Sequence, residues 1–209
     1  MGSVVRTPCG GDPVSLNERA MLSQVTIRAW DATRVDRQAT REVARNHGSD
    51  EKMGRYSKHI VDPAALADVK RAAAAIREYH YSRTLPWDQD GFRILASDLY
   101  LDYTTELRKL RGDFDRATAS FVLAYPSHVA DARGRLNGLF RAEEYPSRQS
   151  LEGKFGVEVA ITPIPAGEDF RVSLGAEEES RIRTSIDRRA EESVRAAMAD
   201  AWTRLHDAL

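Results

Sequence analysis

Tyr79, His80, Tyr81, Arg83, Trp87 and Arg93 bring aromatic rings and cations together within fifteen residues of this chain. That mixture can stack unpaired bases and hold phosphate, so these six are the expected nucleic-acid contacts. A simpler reading competes with it. A helix end that folds its aromatics onto a neighbour, with His80 hydrogen-bonded in place and Arg83 in solvent, is a more frequent outcome of such a composition. For Trp87 the core reading is favoured, because Leu85-Pro86 beside it would lock the chain against the helix.

Other chemistry is searched for and not assembled. The five histidines, His47, His59, His80, His128 and His206, stand far apart, with no HExxH and no cysteine pair. No metal site is therefore expected, and no cofactor. Asp88-Gln-Asp-Gly91 looks briefly like part of a calcium loop. Aligning Gly91 with the loop glycine puts Pro86 at the first ligand position and Ser97 at the bidentate carboxylate, so an ordinary turn is expected instead. There is no phosphate-binding glycine loop and no nucleophile elbow, and Cys9 falls in an irregular leader. No catalytic residue is assigned, and the chain is read as non-enzymatic.

Composition narrows the partners. Lys+Arg 31 against Asp+Glu 32 nearly cancel, so no global field argues for nucleic acid or an acidic membrane, although local patches could. A single cysteine forbids an internal disulfide and fits a reducing compartment. No run of apolar residues is long enough for a membrane span, and the expected location is the cytoplasm.

The elements that would position these residues follow from periodicity. Residues 1–20 carry Gly and Pro without a repeat and read as a flexible leader; 21–209 reads as a single helix-rich domain. Leu22, Val25, Ile27 and Trp30 suit a strand, and a helix is expected from Ala32 to His47, with Asp31 as N-cap, Val35, Ala39 and Val43 along one face, and Gly48 as its stop. Asp62-Pro63 opens a helix to about Tyr81 whose stripe is Leu66, Val69, Ala73, Ile76 and Tyr79 or His80. From Ser97 the clearest stripe runs Tyr103, Leu107, Leu110, Phe114, Ala117, Phe121 and Ala124, with a break or kink expected at Pro126 and a short continuation to Leu136.

Val157, Val159, Ile161 and Ile164, a turn at Pro165 to Gly167, and Phe170, Val172 and Leu174 predict a hairpin over 157–174. A last helix is expected from about 175, with Glu177 to Glu179 in its first turn and the stripe Ile182, Ile186, Ala190, Val194, Met198, Trp202, Leu205 and Leu209. That stripe ends in mid-pattern and wants a partner helix. Ile186, Val194, Met198, Trp202 and Leu205 are the expected oligomer interface. Arg181, Arg183, Arg188, Arg189 and Arg195 on the same helix interleave with acidic residues, which intrahelical ion pairs explain without any ligand.

The ordered set Tyr79-His-Tyr81, Thr84-Leu-Pro-Trp-Asp88, Arg135-Leu-Asn-Gly-Leu-Phe140, Glu144-Tyr-Pro146 and Asp169-Phe-Arg-Val172 resembles a domain-of-unknown-function family of proteins encoded by tailed phages and integrated mobile elements. The resemblance covers Met21 to Leu209. It implies a viral setting inside a bacterial host and relatives that continue past the equivalent of Leu209, and it carries no activity.

The expected architecture is α+β and predominantly α, with long helices packed in coiled-coil-like fashion beside a small antiparallel hairpin or sheet to which the 22–30 segment can add. The expected function is a non-enzymatic phage or mobile-element protein that forms a homo-oligomer through its helices and acts on nucleic acid, single-stranded at the aromatic cluster, or on a nucleoprotein complex. The alternative is an adaptor or inhibitor that binds a phage or host protein without nucleic acid.

Overall fold

The computed structural model describes residues 19–87, 91–172 and 175–207. The leader with Cys9, the turn at Asp88 to Asp90, Leu174 and Leu209 lie outside the described residues. The fold is α+β and 66% helical, with a four-stranded antiparallel sheet and a two-stranded one. Chain segments gather into two compact units. One takes the described residues up to Val25, Tyr81–Thr104 and those from Val159 onward; the other takes Thr26–His80 and Thr105–Glu158.

The first unit is built on a sheet of order β4-β5-β1-β6, where β1 is Ala20–Arg28, β4 Leu85–Pro86, β5 Arg93–Ala96 and β6 Gly156–Pro163. β1 pairs antiparallel with β5, setting Leu22 against Ile94, and β5 pairs with β4, setting Ile94 against Leu85. Alternation then sorts the faces. Ala20, Leu22 and Ile94 form a core cluster with Ile164 and with Ala197 of the last helix. Ser23, one step along β1, is fully buried on the other face and meets the Tyr103 phenol at 3.0 Å. The strand expected at 22–30 is β1. Pro86, expected only as a breaker, ends a strand at the edge of the sheet, where no neighbour requires its missing N–H.

Among the described residues, 164–172 form no second strand of the hairpin expected over 157–174. β6 pairs with β1 instead, and residues 167–169 make a 3-10 turn that rests on the last helix, α5 (Ala176–Asp207). The Gly167 N–H donates to Asp187 Oδ1 at 2.7 Å and Arg183 Nη2 donates to the Phe170 carbonyl at 3.2 Å, so the polar groups of this turn serve α5 rather than a returning strand. Only glycine fits there, since a Cβ at Gly167 would lie 2.6 Å from Asp187 Oδ2. Phe170 and Val172 are outside any strand, and Val172 is exposed.

In the second unit, the first helix, α1, runs Arg37–His47 and starts five residues later than expected. Ala32 adopts φ 56 and the Asp31 carboxylate accepts the Thr33 N–H at 3.1 Å, so Asp31 caps a turn into β2 (Thr33–Val35). β2 pairs antiparallel with β3 (Ser57–His59). The N-cap of α1 is Asp36, whose Oδ1 accepts the N–H groups of Gln38 and Ala39; the C-cap is Gly48 at φ 62, as its position implies. Val35 and Val43 are half-exposed while Ala39 and Ala44 are buried. A 3-10 turn from Pro63, capped by Asp62 and burying Leu66, leads into α2 (Ala67–Arg83), which buries Val69, Ala73, Ile76 and His80 on the expected face.

α3 runs unbroken from Tyr100 to Leu136 with Pro126 inside it. Proline removes one i to i−4 hydrogen bond, but Phe121, Val122 and Tyr125 before it and Ala132 after it are buried, and this packing carries the helix through. The expected stripe is its inner face: Phe114 and Phe121 are 1% and 3% exposed. Around Phe121 sit Trp30, Tyr125, Phe155 and the ring of His128, which stacks on it with centroids 5.6 Å apart and planes 16° apart. A short helix, α4 (Arg148–Glu152), precedes β6.

Candidate functional site

The six residues expected to contact nucleic acid are divided between the two units. Tyr79 and His80 lie on α2 in the second unit, half-buried and buried respectively; Tyr81, Arg83, Trp87 and Arg93 belong to the first. Trp87 is half-buried and packs against the core cluster of the β1–β5 face. Arg83 is exposed, as is Tyr81 at 52%, and the Arg93 guanidinium lies 4.6 Å from the Tyr81 ring centroid. Arg93 is anchored by its Nε donating to Thr84 Oγ1 at 2.7 Å and its Nη2 donating to the Thr84 carbonyl at 2.9 Å. Burial, and then the charge of Arg204, pull the Arg93 pKa below its ordinary value.

Arg204 itself donates to the Tyr81 carbonyl at 3.3 Å and pairs with Asp200 at 2.7 Å. Thr84 and Arg204 are the members that sequence reasoning missed. Arg204 stands 123 residues from Tyr81, and no local spacing announces such a pairing.

Along α5 the expected interface splits. Ile186 and Val194 are half-buried, whereas Met198, Trp202 and Leu205 are 51%, 67% and 54% exposed. The residues that α5 buries are Ser193 and Ala197. Helix geometry explains this, because each step of four overshoots a full turn by about 40°, so a stripe spaced entirely by fours rotates by about 160° between Ile186 and Trp202. The α3 stripe alternates three and four and stays on one face. The interleaved charges of α5 pair within the helix as expected, Arg181 with Glu178 at 2.9 Å and Arg183 with Glu179 at 2.6 Å.

Two charged clusters in the second unit were not singled out by the sequence. In the first, Lys58 of β3 has a side chain only 1% exposed and contacts Asp36 Oδ2 at 2.7 Å, Glu144 Oε2 at 2.9 Å and the Leu139 carbonyl at 2.6 Å. Desolvation works to lower the lysine pKa, but the hydrogen bonds to Asp36 and Glu144 outweigh it and hold the ammonium above its ordinary value. Asp36, held mainly by Lys58 and the Ala39 N–H, is lowered to about 2. The ammonium donates to Asp36 and to the Leu139 carbonyl and forms an ion pair with Glu144, so this lysine is a clip between β3, the α1 cap and the 139–144 segment rather than a base or nucleophile.

The second cluster lines a cleft of about 410 Å³ between the start of α2 and the end of α3, with His59, Asp62, His128, Asp131 and Arg135 on its walls and Val61 and Ala132 buried behind them. Asp62 accepts the Ala64 N–H at 2.9 Å and pairs with Arg135. These two contacts, in that order, hold its carboxyl below the usual range, and the charge of His128 adds to them. The Nδ1 of His59 meets the Thr33 hydroxyl at 3.3 Å across the β2–β3 pair.

Among the described residues, no group of three or more His, Cys, Asp or Glu is placed to hold a metal ion, and no helix is long and apolar enough to cross a membrane. No family model, curated protein or solved structure matches the chain.

Proposed function

We propose that this is a non-enzymatic protein that binds single-stranded nucleic acid, alone or within a nucleoprotein complex, and that associates with itself through α5 in coiled-coil-like fashion. The phage or mobile-element setting is the one implied by the resemblance over Met21 to Leu209. The observation that carries the nucleic-acid reading is the exposed Tyr81 ring with Arg93 fixed over it and Arg204 beside it. A ring with one face held by a guanidinium stacks a base without sequence preference, and the paired cations favour the phosphates that flank it.

The expected result is oligonucleotide binding at low salt that weakens as salt rises, read by fluorescence anisotropy. Tyr81→Ala should cost about 1–3 kcal/mol of binding, and Arg204→Ala should mainly flatten the salt dependence. Wild-type protein that binds no oligonucleotide at low salt would remove this reading.

Self-association is supported by the apolar ridge of Met198, Trp202 and Leu205 on an otherwise charged helix. The double variant Met198→Glu with Trp202→Glu is expected to dissociate the oligomer, and light scattering on the unmodified chain at micromolar concentration is the direct check. A monomer at every concentration would turn the same ridge into support for the second reading, an adaptor that docks on a phage or host protein.

A further inference from the structure

We propose that the cleft between the His59–Ala65 segment and the end of α3 holds a single unpaired nucleobase carrying an amino group and a ring carbonyl on the same edge, as guanine and cytosine do. The proposal rests on the nucleic-acid reading above and names the chemistry it would recognise. At about 410 Å³ the cleft has the volume of a small-ligand site, and Val61 and Ala132 give it buried apolar walls.

Its charges select the ligand class. Asp62 and Arg135 neutralise each other, and Asp131 and the two imidazoles complete the polar lining. With Arg135 already held by Asp62, a phosphate entering here would meet the carboxylate of Asp131, which disfavours an anion. A flat neutral ring with donors on one edge and acceptors beside them uses both kinds of group at once. The Asp131 carboxylate accepts amino N–H groups, and an imidazole or Arg135 donates to the neighbouring carbonyl.

The donors are held in place before a ligand arrives. His128 lies flat on Phe121, His59 is tethered by Thr33, and Arg135 is fixed by Asp62, which is fixed in turn by the Ala64 N–H. Such orientation lowers the ordering cost of binding a small ring.

The test follows the imidazole NMR signals of His59 and His128 while guanosine, cytidine, thymidine or inorganic phosphate is added to the full chain. Guanosine or cytidine should shift both rings, with thymidine and phosphate at least tenfold weaker, and Asp131→Asn should lose at least fivefold in affinity for the amino-bearing nucleosides. Asp131 is exposed, so the variant is expected to remain folded, and a denaturant melt checks it. Equal shifts from all nucleosides, shifts from phosphate alone, no shift, or an Asp131→Asn variant that binds like the wild type would each overturn the proposal. Oligonucleotide anisotropy on the same samples separates the two readings. Binding without imidazole shifts sinks the cleft alone, whereas imidazole shifts from guanosine without oligonucleotide binding sink the strand reading and support the cleft as a nucleoside site.

Discussion

Replacing Lys58 with alanine is expected to lower the unfolding free energy by about 3–5 kcal/mol, because it strands two carboxylates that the fold has removed from much of the solvent. Asp36 is 2% exposed and Glu144 18%, and the Leu139 carbonyl loses its donor at the same time. The cost lies in the buried acids, of which Asp36 keeps only its cap N–H groups and Arg141 at 3.8 Å, rather than in the lost attraction. A triple variant, Lys58→Met with Asp36→Asn and Glu144→Gln, should therefore recover a large part of what Lys58→Ala loses. Urea unfolding of the single and triple variants measures both, and a Lys58→Ala loss below about 1 kcal/mol would show the clip to be dispensable.

The same network sets a pH window. The carboxyl of Asp36 is lowered from 3.8 to about 2, so its contribution is complete above the unfolded value and is lost as pH falls from about 4 through 2. Lys58 is raised, so its contribution is complete below the ordinary lysine value of 10.5 and is lost only as pH rises beyond it. Stability attributable to this pair is thus expected to be flat across neutral pH and to fall at both extremes. Asp36→Asn should remove the part of the acid slope between pH 4 and 2 that belongs to this site, although it also weakens the α1 cap.

Phe121→Ala is the second large loss, again about 3–5 kcal/mol, since it empties the centre of an aromatic cluster that cannot collapse from one side. Its ring lies 6.2 Å from Trp30, 6.1 Å from Tyr125, 5.8 Å from Phe155 and 5.6 Å from His128, centroid to centroid. Phe121→Leu keeps most of the volume and should cost less than about 1.5 kcal/mol. Near-ultraviolet dichroism reports the environment of Trp30 directly, and denaturant melts give the free energies. An alanine variant as stable as the leucine one would contradict this packing. Because the ring seats His128, the alanine variant is also expected to broaden the imidazole signal at the cleft.

Where periodicity and capping act within a few residues, the chain was readable. The α2 face with Leu66, Val69, Ala73 and Ile76, the α3 face with Phe114 and Phe121, and the stop at Gly48 all stand where the residues place them. Elsewhere local signals competed. Asp31 and Asp36 are equally good caps by type, and it is the left-handed turn at Ala32 and the pairing of β2 with β3 that give the cap to Asp36. Val157 to Ile161 reads correctly as extended, with Ile164 just past the strand end, but the partner is β1, more than a hundred residues earlier, and the turn that follows is docked on α5.

The exposed stripe of α5 was visible as spacing, and its outward rotation follows from steps of four; which arc of that helix turns inward depends on Ala197 meeting the sheet. For the candidate sites, Tyr81 and Arg93 were legible as types close in sequence. Their fixing by Thr84 and Arg204, the clip at Lys58 and the cleft of His59 and His128 were not, because each joins groups on different elements.

By itself, then, the sequence determined the inner faces of α2 and α3, the caps where only one residue could serve, and the balance of charge. These depend on interactions within one turn or one strand, where spacing along the chain is spacing in space. Only the tertiary structure decided which strand β6 joins, that Arg204 reaches Tyr81, and that Lys58 is buried among acids. Those outcomes depend on segments that meet after long loops have closed, and the free energy that selects among such meetings resides in the packing of both partners together, which neither segment carries alone.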